Sequence, residues 1–345
     1  MFNSSEKRLP SFNLAIAGLL LTFCVIILGS FTRLVDAGLG CPDWPGCYGH
    51  ALWPESGEEI NRANLAFPHA PVETDKTWPE MVHRYFATSL GVLIIGLVAL
   101  AWRHRGPEQP LKLPILLLGL VILQGMFGMW TVTLKLWPQV VTAHLLSGFT
   151  TLALLWLLTL RLNNSYWVLR TQEFDRVKRL QPWVVGGLLV VIGQIALGGW
   201  TTSNYAAVAC PDLPTCQAQW WPDMDFASGF NLFQELGPNY LGGMMTNESR
   251  VAIHMAHRLG AIVTFCYVLW LCFLLIGTRV ANSPMLAKLT GIVLFVQILL
   301  GLSNIWFHFP VSVAVAHNAV GAVLVLCLIT VAHRVFTAQR VTNDG

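Results

Sequence analysis

The chain has 345 residues, of which 54% are hydrophobic and 11% charged, with a formal net charge of +3. Its mean hydropathy is +0.58. Soluble domains carry about 25% charged residues, so this composition excludes an ordinary soluble enzyme and a basic nucleic-acid-binding protein and describes an all-α integral membrane protein.

A membrane-crossing helix needs about 20 mostly apolar residues. Eight stretches qualify, at roughly 12–32, 81–102, 112–133, 139–161, 182–202, 250–277, 286–307 and 311–333. The first runs on without a small-residue cleavage site, so it reads as a span and not as a signal peptide. Basic residues collect on one side of these spans. Lys7 and Arg8 precede the first, Arg103, Arg105 and Lys112 separate the second from the third, and Arg161, Arg170, Arg176, Lys178 and Arg179 separate the fourth from the fifth. Arg279, Lys288, Arg334 and Arg340 continue the pattern. The opposite loops are acidic, with Asp36, Asp43, Glu55, Glu58, Glu59, Glu73 and Asp75 in one and Asp212, Asp223, Asp225, Glu235 and Glu248 in the other. The positive-inside rule then places both termini in the cytoplasm and both long loops, roughly 33–79 and 203–249, outside. These loops are rich in Pro, Gly and Trp, and a short helix is expected near EEINRANLA.

The first span ends in GSFTRLVDAGLGCPDWPGC and the fifth in GGWTTSNYAAVACPDLPTC. Gly29, Cys41 and Cys47 match Gly198, Cys210 and Cys216 at an offset of 169, and later markers shift to 174 (His83 to His257) and 173 (Gln124 to Gln297, His144 to His317). A near-constant offset is the mark of an internal duplication. An even number of spans per unit gives both copies one orientation. The expected architecture is two tandem, same-orientation four-helix bundles, residues 1–161 and 182–345, joined by a polar cytoplasmic linker at 162–181.

The second span opens with EMVHRYFATSLG and the sixth contains HMAHRLGAIVT. Glu80 and His83 lie three residues apart, on one helical face. His257 and Arg258 repeat His83 and Arg84, while His254 stands where Glu80 stood. His144 and His317 follow on the fourth and eighth spans, in VTAHLLSGF and AVAHNAVGA. All four lie near the outward ends of spans that run in one direction, so each half can face two imidazoles across its bundle, the arrangement of axial haem ligands. One membrane histidine equally suits a hydrogen bond to a neighbouring helix; four in duplicated register favour the ligand reading. His50, His69, His308, His104 and His333 lie in loops or at the cytoplasmic edge and read as ordinary polar residues.

Arg84 and Arg258 suit either a propionate, through paired charge-assisted hydrogen bonds, or the headgroup layer. Gln124 and Gln297 suit a helix-to-helix hydrogen bond as well as a ligand contact. Glu80 is either a proton acceptor at the mouth of a site or a solvated first-turn residue favoured by the helix dipole. Cys41–Cys47 and Cys210–Cys216 are C-x5-C pairs in outer loops; a structural disulfide is the leading reading, with a redox relay as the other. Cys24, Cys266, Cys272 and Cys327 lie in spans as packing residues. No phosphate-binding glycine loop or nucleotide fingerprint is present.

Taken together, the E-x-x-H-R block at Glu80–Arg84, the H-R block at His257, the later His144 and His317, the outer cysteine pairs and the duplicated spans resemble the haem A synthase family over nearly the whole chain. The resemblance implies oxidation of the C8 methyl of haem O to a formyl group by successive hydroxylation and loss of water. It implies that His257 and His317 hold a resident haem b. His83 and His144 would face the iron of the substrate haem O, with Glu80 near the reacting methyl and Cys41–Cys47 covering the site. It further implies a bacterial cytoplasmic (inner) membrane location with the haem sites towards the outer face, haem O synthase and an electron donor as partners, and haem A delivered for cytochrome oxidase biogenesis. A homo-oligomer is compatible with it. His254 has no role in that pattern. Two other classes compete. A dihaem b electron-transfer cytochrome predicts symmetric halves, which the Glu80/His254 difference opposes. A transporter predicts ionisable residues near the bilayer midplane, where this chain is almost purely apolar.

Overall fold

In hydrocarbon every backbone N–H and C=O needs an internal partner, and an α-helix supplies all of them within one segment. The computed structural model describes residues 8–106, 109–164 and 166–341, so Lys7 lies outside the described residues. Its helices are α1 (Phe12–Leu34), α2 (Gly57–Ala66), α3 (Thr74–Arg103), α4 (Lys112–Thr133), α5 (Pro138–Leu162), α6 (Thr171–Lys178), α7 (Gln181–Ser203), α8 (Phe226–Gly229), α9 (Asn247–Gly277), α10 (Ser283–Trp306) and α11 (Val311–Phe336). Eight of them are long and apolar enough to cross a membrane: α1, α3, α4, α5, α7, α9, α10 and α11. At 1.5 Å per residue even the shortest of these covers the roughly 30 Å hydrocarbon core.

Local sequence sets the ends. Pro138 opens α5, where a missing N–H costs nothing. Thr246 caps α9 by accepting from the Ser249 N–H, and Ser56 and Glu59 form a capping box on α2, the short helix expected at EEINRANLA. The helices α3 and α9 start several residues before the apolar runs, so Glu80 sits in the second turn of α3 and His254 in that of α9.

Within the first half, α1 packs on α3 and α5, and α4 packs on α3 and α5; α7, α9, α10 and α11 repeat this ring. Across the seam α5 meets α7, α1 meets α11, and α5 meets α11. Exchanging α1, α3, α4 and α5 for α7, α9, α10 and α11 leaves this set of contacts unchanged. The buried core runs through both halves, with Leu97, Leu152, Leu155 and Leu158 in one and Leu271, Leu275, Leu294 and Leu328 in the other. Outward faces present Val92, Ile122, Leu189 and Phe295, a surface suited to lipid and not to water.

The linker is more ordered than a polar connection requires. It contains β1 (Val168–Leu169) and α6, and β1 pairs in parallel with β2 (Gln339–Arg340), a two-residue departure from an all-α fold. Arg340 also bonds Asp175 at 3.1 Å, which fastens the end of the chain to the linker.

Candidate functional site

The helices α3 and α5 bring His83 and His144 together, with ring centroids 6.5 Å apart and planes at 89°. Two imidazole nitrogens on opposite sides of one ion, each about 2 Å from it, place their ring centres roughly 6 Å apart. The observed gap fits one ion. Nδ1 of His83, His144 and His317 is buried without a partner. Among the described residues no group of three or more His, Cys, Asp or Glu is placed to hold a bare metal. Paired imidazoles with no further protein ligand suit an iron whose other positions a porphyrin fills.

Each histidine is backed by a glycine. A Cβ on Gly29 would stand 2.8 Å from Cε1 of His83, and one on Gly198 would stand 3.2 Å from Cε1 of His257. On Gly301 it would lie 3.2 Å from Cε1 of His317, and on Gly128 it would lie 3.8 Å from Cε1 of His144. The four glycines occupy duplicated positions. The space for the imidazoles is thus written into the repeat.

Glu80 is 5% exposed, which corrects the reading of a solvated first-turn carboxylate. Its Oε2 accepts from the Cys41 N–H at 2.9 Å, and its Oε1 pairs with the Arg84 guanidinium. Arg84 also donates to the carbonyls of Asp43 (3.0 Å), Pro45 (3.2 Å) and Gly46 (2.5 Å). Arg258 does the same work in the second half, donating to Thr215 (2.8 Å), Cys210 (3.0 Å) and Asp212 (2.8 Å). Both arginines therefore grip the outer loops, and these donors are occupied by loop carbonyls, neither free for a propionate nor turned to headgroups. Nδ1 of His254 lies 3.0 Å from the Ala206 carbonyl. Where the first half presents a carboxylate to a loop N–H, the second presents an imidazole to a loop C=O.

The gripped loops are closed by the Cys41–Cys47 and Cys210–Cys216 disulfides. Asp43 accepts from the N–H groups of Tyr48 (2.6 Å) and Gly49 (2.8 Å). At the matching position Asp212 accepts from those of Gln217 (2.6 Å) and Ala218 (3.0 Å). The Thr215 hydroxyl, followed by these backbone donors and opposed by slight burial, holds the Asp212 carboxyl below its usual range. Tyr48 packs on the first disulfide and Met81; burial, with Glu73, Glu80 and Asp43 nearby, pushes its phenol up to about 12.

The glutamines divide. Gln124 is held by Ser147, whose hydroxyl donates to its Oε1 at 2.8 Å, so the helix-to-helix reading holds there. Gln297 instead lies 3.4 Å from Nε2 of His317. Gln194, which the sequence reading passed over, lies 3.1 Å from Nδ1 of His257. Its signal was present: it is the one strongly polar side chain between Gln181 and Gly198, and it precedes the glycine that backs His257 by one helical turn.

Fold and site together define a multi-pass helical membrane protein with buried, duplicated histidines on its spans. Residues 12–329 match the COX15-CtaA family, described as cytochrome oxidase assembly protein, and the chain belongs to that family. A relative from Shewanella oneidensis named heme A synthase is 44% identical over 314 residues, covering 91% of this chain and 93% of the relative. Proteins of the same name from Caulobacter vibrioides (26% over 339 residues, 91% and 93%) and Allorhizobium ampelinum (27% over 340 residues, 91% and 87%) are also similar over their length.

Proposed function

We propose that this chain is a haem-dependent membrane oxidoreductase that converts haem O to haem A by oxidising the C8 methyl to a formyl group. The observation that carries the reading is the duplicated pair of imidazoles combined with one unduplicated carboxylate, Glu80, beside His83. His83 and His144 would hold the substrate haem, and His257 and His317 would hold haem b. Bound there, haem b would supply electron transfer.

The chain's own groups do the rest. Glu80, buried and charge-compensated by Arg84, would accept a proton or stabilise positive charge developing on the bound substrate. The Cys41 N–H sets the direction of that carboxylate, and Arg84 seats the disulfide loop as a cover over the first site. Arg258 seats the equivalent cover over the second. The halves are same-orientation bundles meeting at the linker 162–181. The alternation of basic and acidic loops supports a bacterial inner-membrane protein with cytoplasmic termini and outward-facing sites. Two hydroxylations and loss of water are a net four-electron oxidation of the methyl, so haem O from a haem O synthase, dioxygen as oxidant and an electron donor that reduces its second oxygen atom to water complete the reaction.

The test is chromatography of haems extracted from the purified protein, produced with and without a supply of haem O. Haem b alone without the supply, and haem A on adding it, is the expected result. Two haems b per chain and no response to haem O would replace this reading with that of an electron-transfer cytochrome.

A further inference from the structure

We infer that Gln194 is the positioning residue of the resident haem site, an assignment that rests on the reading of His257 as a ligand of haem b. An iron on Nε2 of His257 requires the ring proton on Nδ1. The side chain facing Nδ1 is the Gln194 amide, with Nε2 at 3.1 Å and also donating to the His257 carbonyl at 3.0 Å. Its Oε1 is buried without any partner. The unsatisfied acceptor and the N–H that needs one therefore sit on two neighbouring groups.

A half-turn of the amide exchanges its two ends and keeps its shape. It places Oε1 on Nδ1–H at the cost of the bond to the His257 carbonyl, whose oxygen then lies about 3.0 Å from Oε1 and keeps its intrahelical donor, and it turns the NH2 to the side where Oε1 had no partner. The amide fits because Gly260 faces it: a Cβ there would stand 2.3 Å from Oε1. Both members of this pair are absent from the first half. By the repeat offsets, Gln194 corresponds to Val25 and Gly260 to Phe86. At that position the His83 ring has a backbone carbonyl, that of Val25, in place of a side-chain amide. A second partner that fixes tautomer and ring orientation makes a stronger ligand. The half that keeps its haem has a side-chain amide here, and the half that must release its product has only a backbone carbonyl.

Three full-length variants purified with bound haem b test this. In Gln194→Val, haem b transfers to an excess of apomyoglobin about tenfold faster or more, and the midpoint potential rises because a less electron-rich imidazole stabilises ferric iron less. Gln194→Glu keeps an acceptor and restores retention, with a potential below that of Gln194→Val. Gly260→Ala displaces the amide without altering it and reproduces Gln194→Val. Unchanged transfer and potential in Gln194→Val, or failure of Gln194→Glu to restore either, would overturn the assignment. A wild-type protein without haem b would instead overturn the functional reading.

Discussion

Arg33 donates from Nη2 to the Thr202 carbonyl at 2.7 Å, across 169 positions of sequence. That separation is the repeat offset, so Arg33 of the first half meets the residue at its own position in the second. Its Nη1 donates to the Tyr205 hydroxyl at 2.9 Å, and the guanidinium stacks 4.2 Å from the Tyr205 ring centre. Tyr205 in turn donates to Asp36, its own counterpart, at 2.8 Å. Matching positions meet across the seam, one helical turn beyond the glycines that back His83 and His257.

This cluster joins the two halves at one end of the bundle. Arg33→Ala removes a charged donor from a site that is 13% exposed, at a cost of about 2 kcal/mol. Thermal unfolding of the protein in detergent should show a lower midpoint, and Arg33→Lys should not restore it because an ammonium cannot stack flat on Tyr205. An unchanged midpoint in Arg33→Ala would remove the cluster from the account.

The glycines behind the histidines predict a graded series. Gly29→Ala places a methyl 2.8 Å from His83, Gly301→Ala places one 3.2 Å from His317, and Gly128→Ala reaches only 3.8 Å from His144. Absorption spectra of the purified variants should show weakened haem O binding in the first, loss of haem b in the second and little change in the third.

Loss of the Cys41–Cys47 bridge releases a short loop at a cost of roughly 2 kcal/mol, and it also frees the backbone N–H that orients Glu80. The Cys210–Cys216 bridge has the same loop length and no carboxylate behind it. Replacing either pair with serine should lower the melting temperature similarly, whereas conversion of haem O should fall much further for the first pair.

The Cys210–Cys216 loop also predicts a pH response. Asp212 has its carboxyl held below the ordinary 3.8, so its contribution to loop order is fully present above that value. It is lost as pH falls through the lower folded value. Limited proteolysis with an acid-active protease should find the loop increasingly open below about pH 3.8, and Asp212→Asn should already be open at neutral pH.

Much of this arrangement was legible in the sequence because it is local or periodic. Apolar runs long enough to span hydrocarbon gave eight helices, and a fixed offset exposed the duplication. The pairing of His83 with His144 followed from spans that run in one direction. What escaped depends on contacts between helices distant in sequence. Nothing near Arg84 or Arg258 tells which carbonyls will fold over them, since the loops are irregular and their turns are set by disulfides and buried aspartates. His254 could not be placed until Ala206 was seen opposite it. Gln194 lies 63 positions from His257, and only the packing of α7 on α9 makes them neighbours. The β1–β2 pairing, two residues long, is below what alternation can reveal.

The most direct test of the central claim, a substrate half served by Glu80 and a resident haem half held by His257 and His317, is the haem content of Glu80→Ala produced with a supply of haem O. Haem b at the wild-type level, haem O retained and no haem A is the expected result. Formation of haem A at the wild-type rate would contradict it, and so would loss of haem b from a protein that still folds.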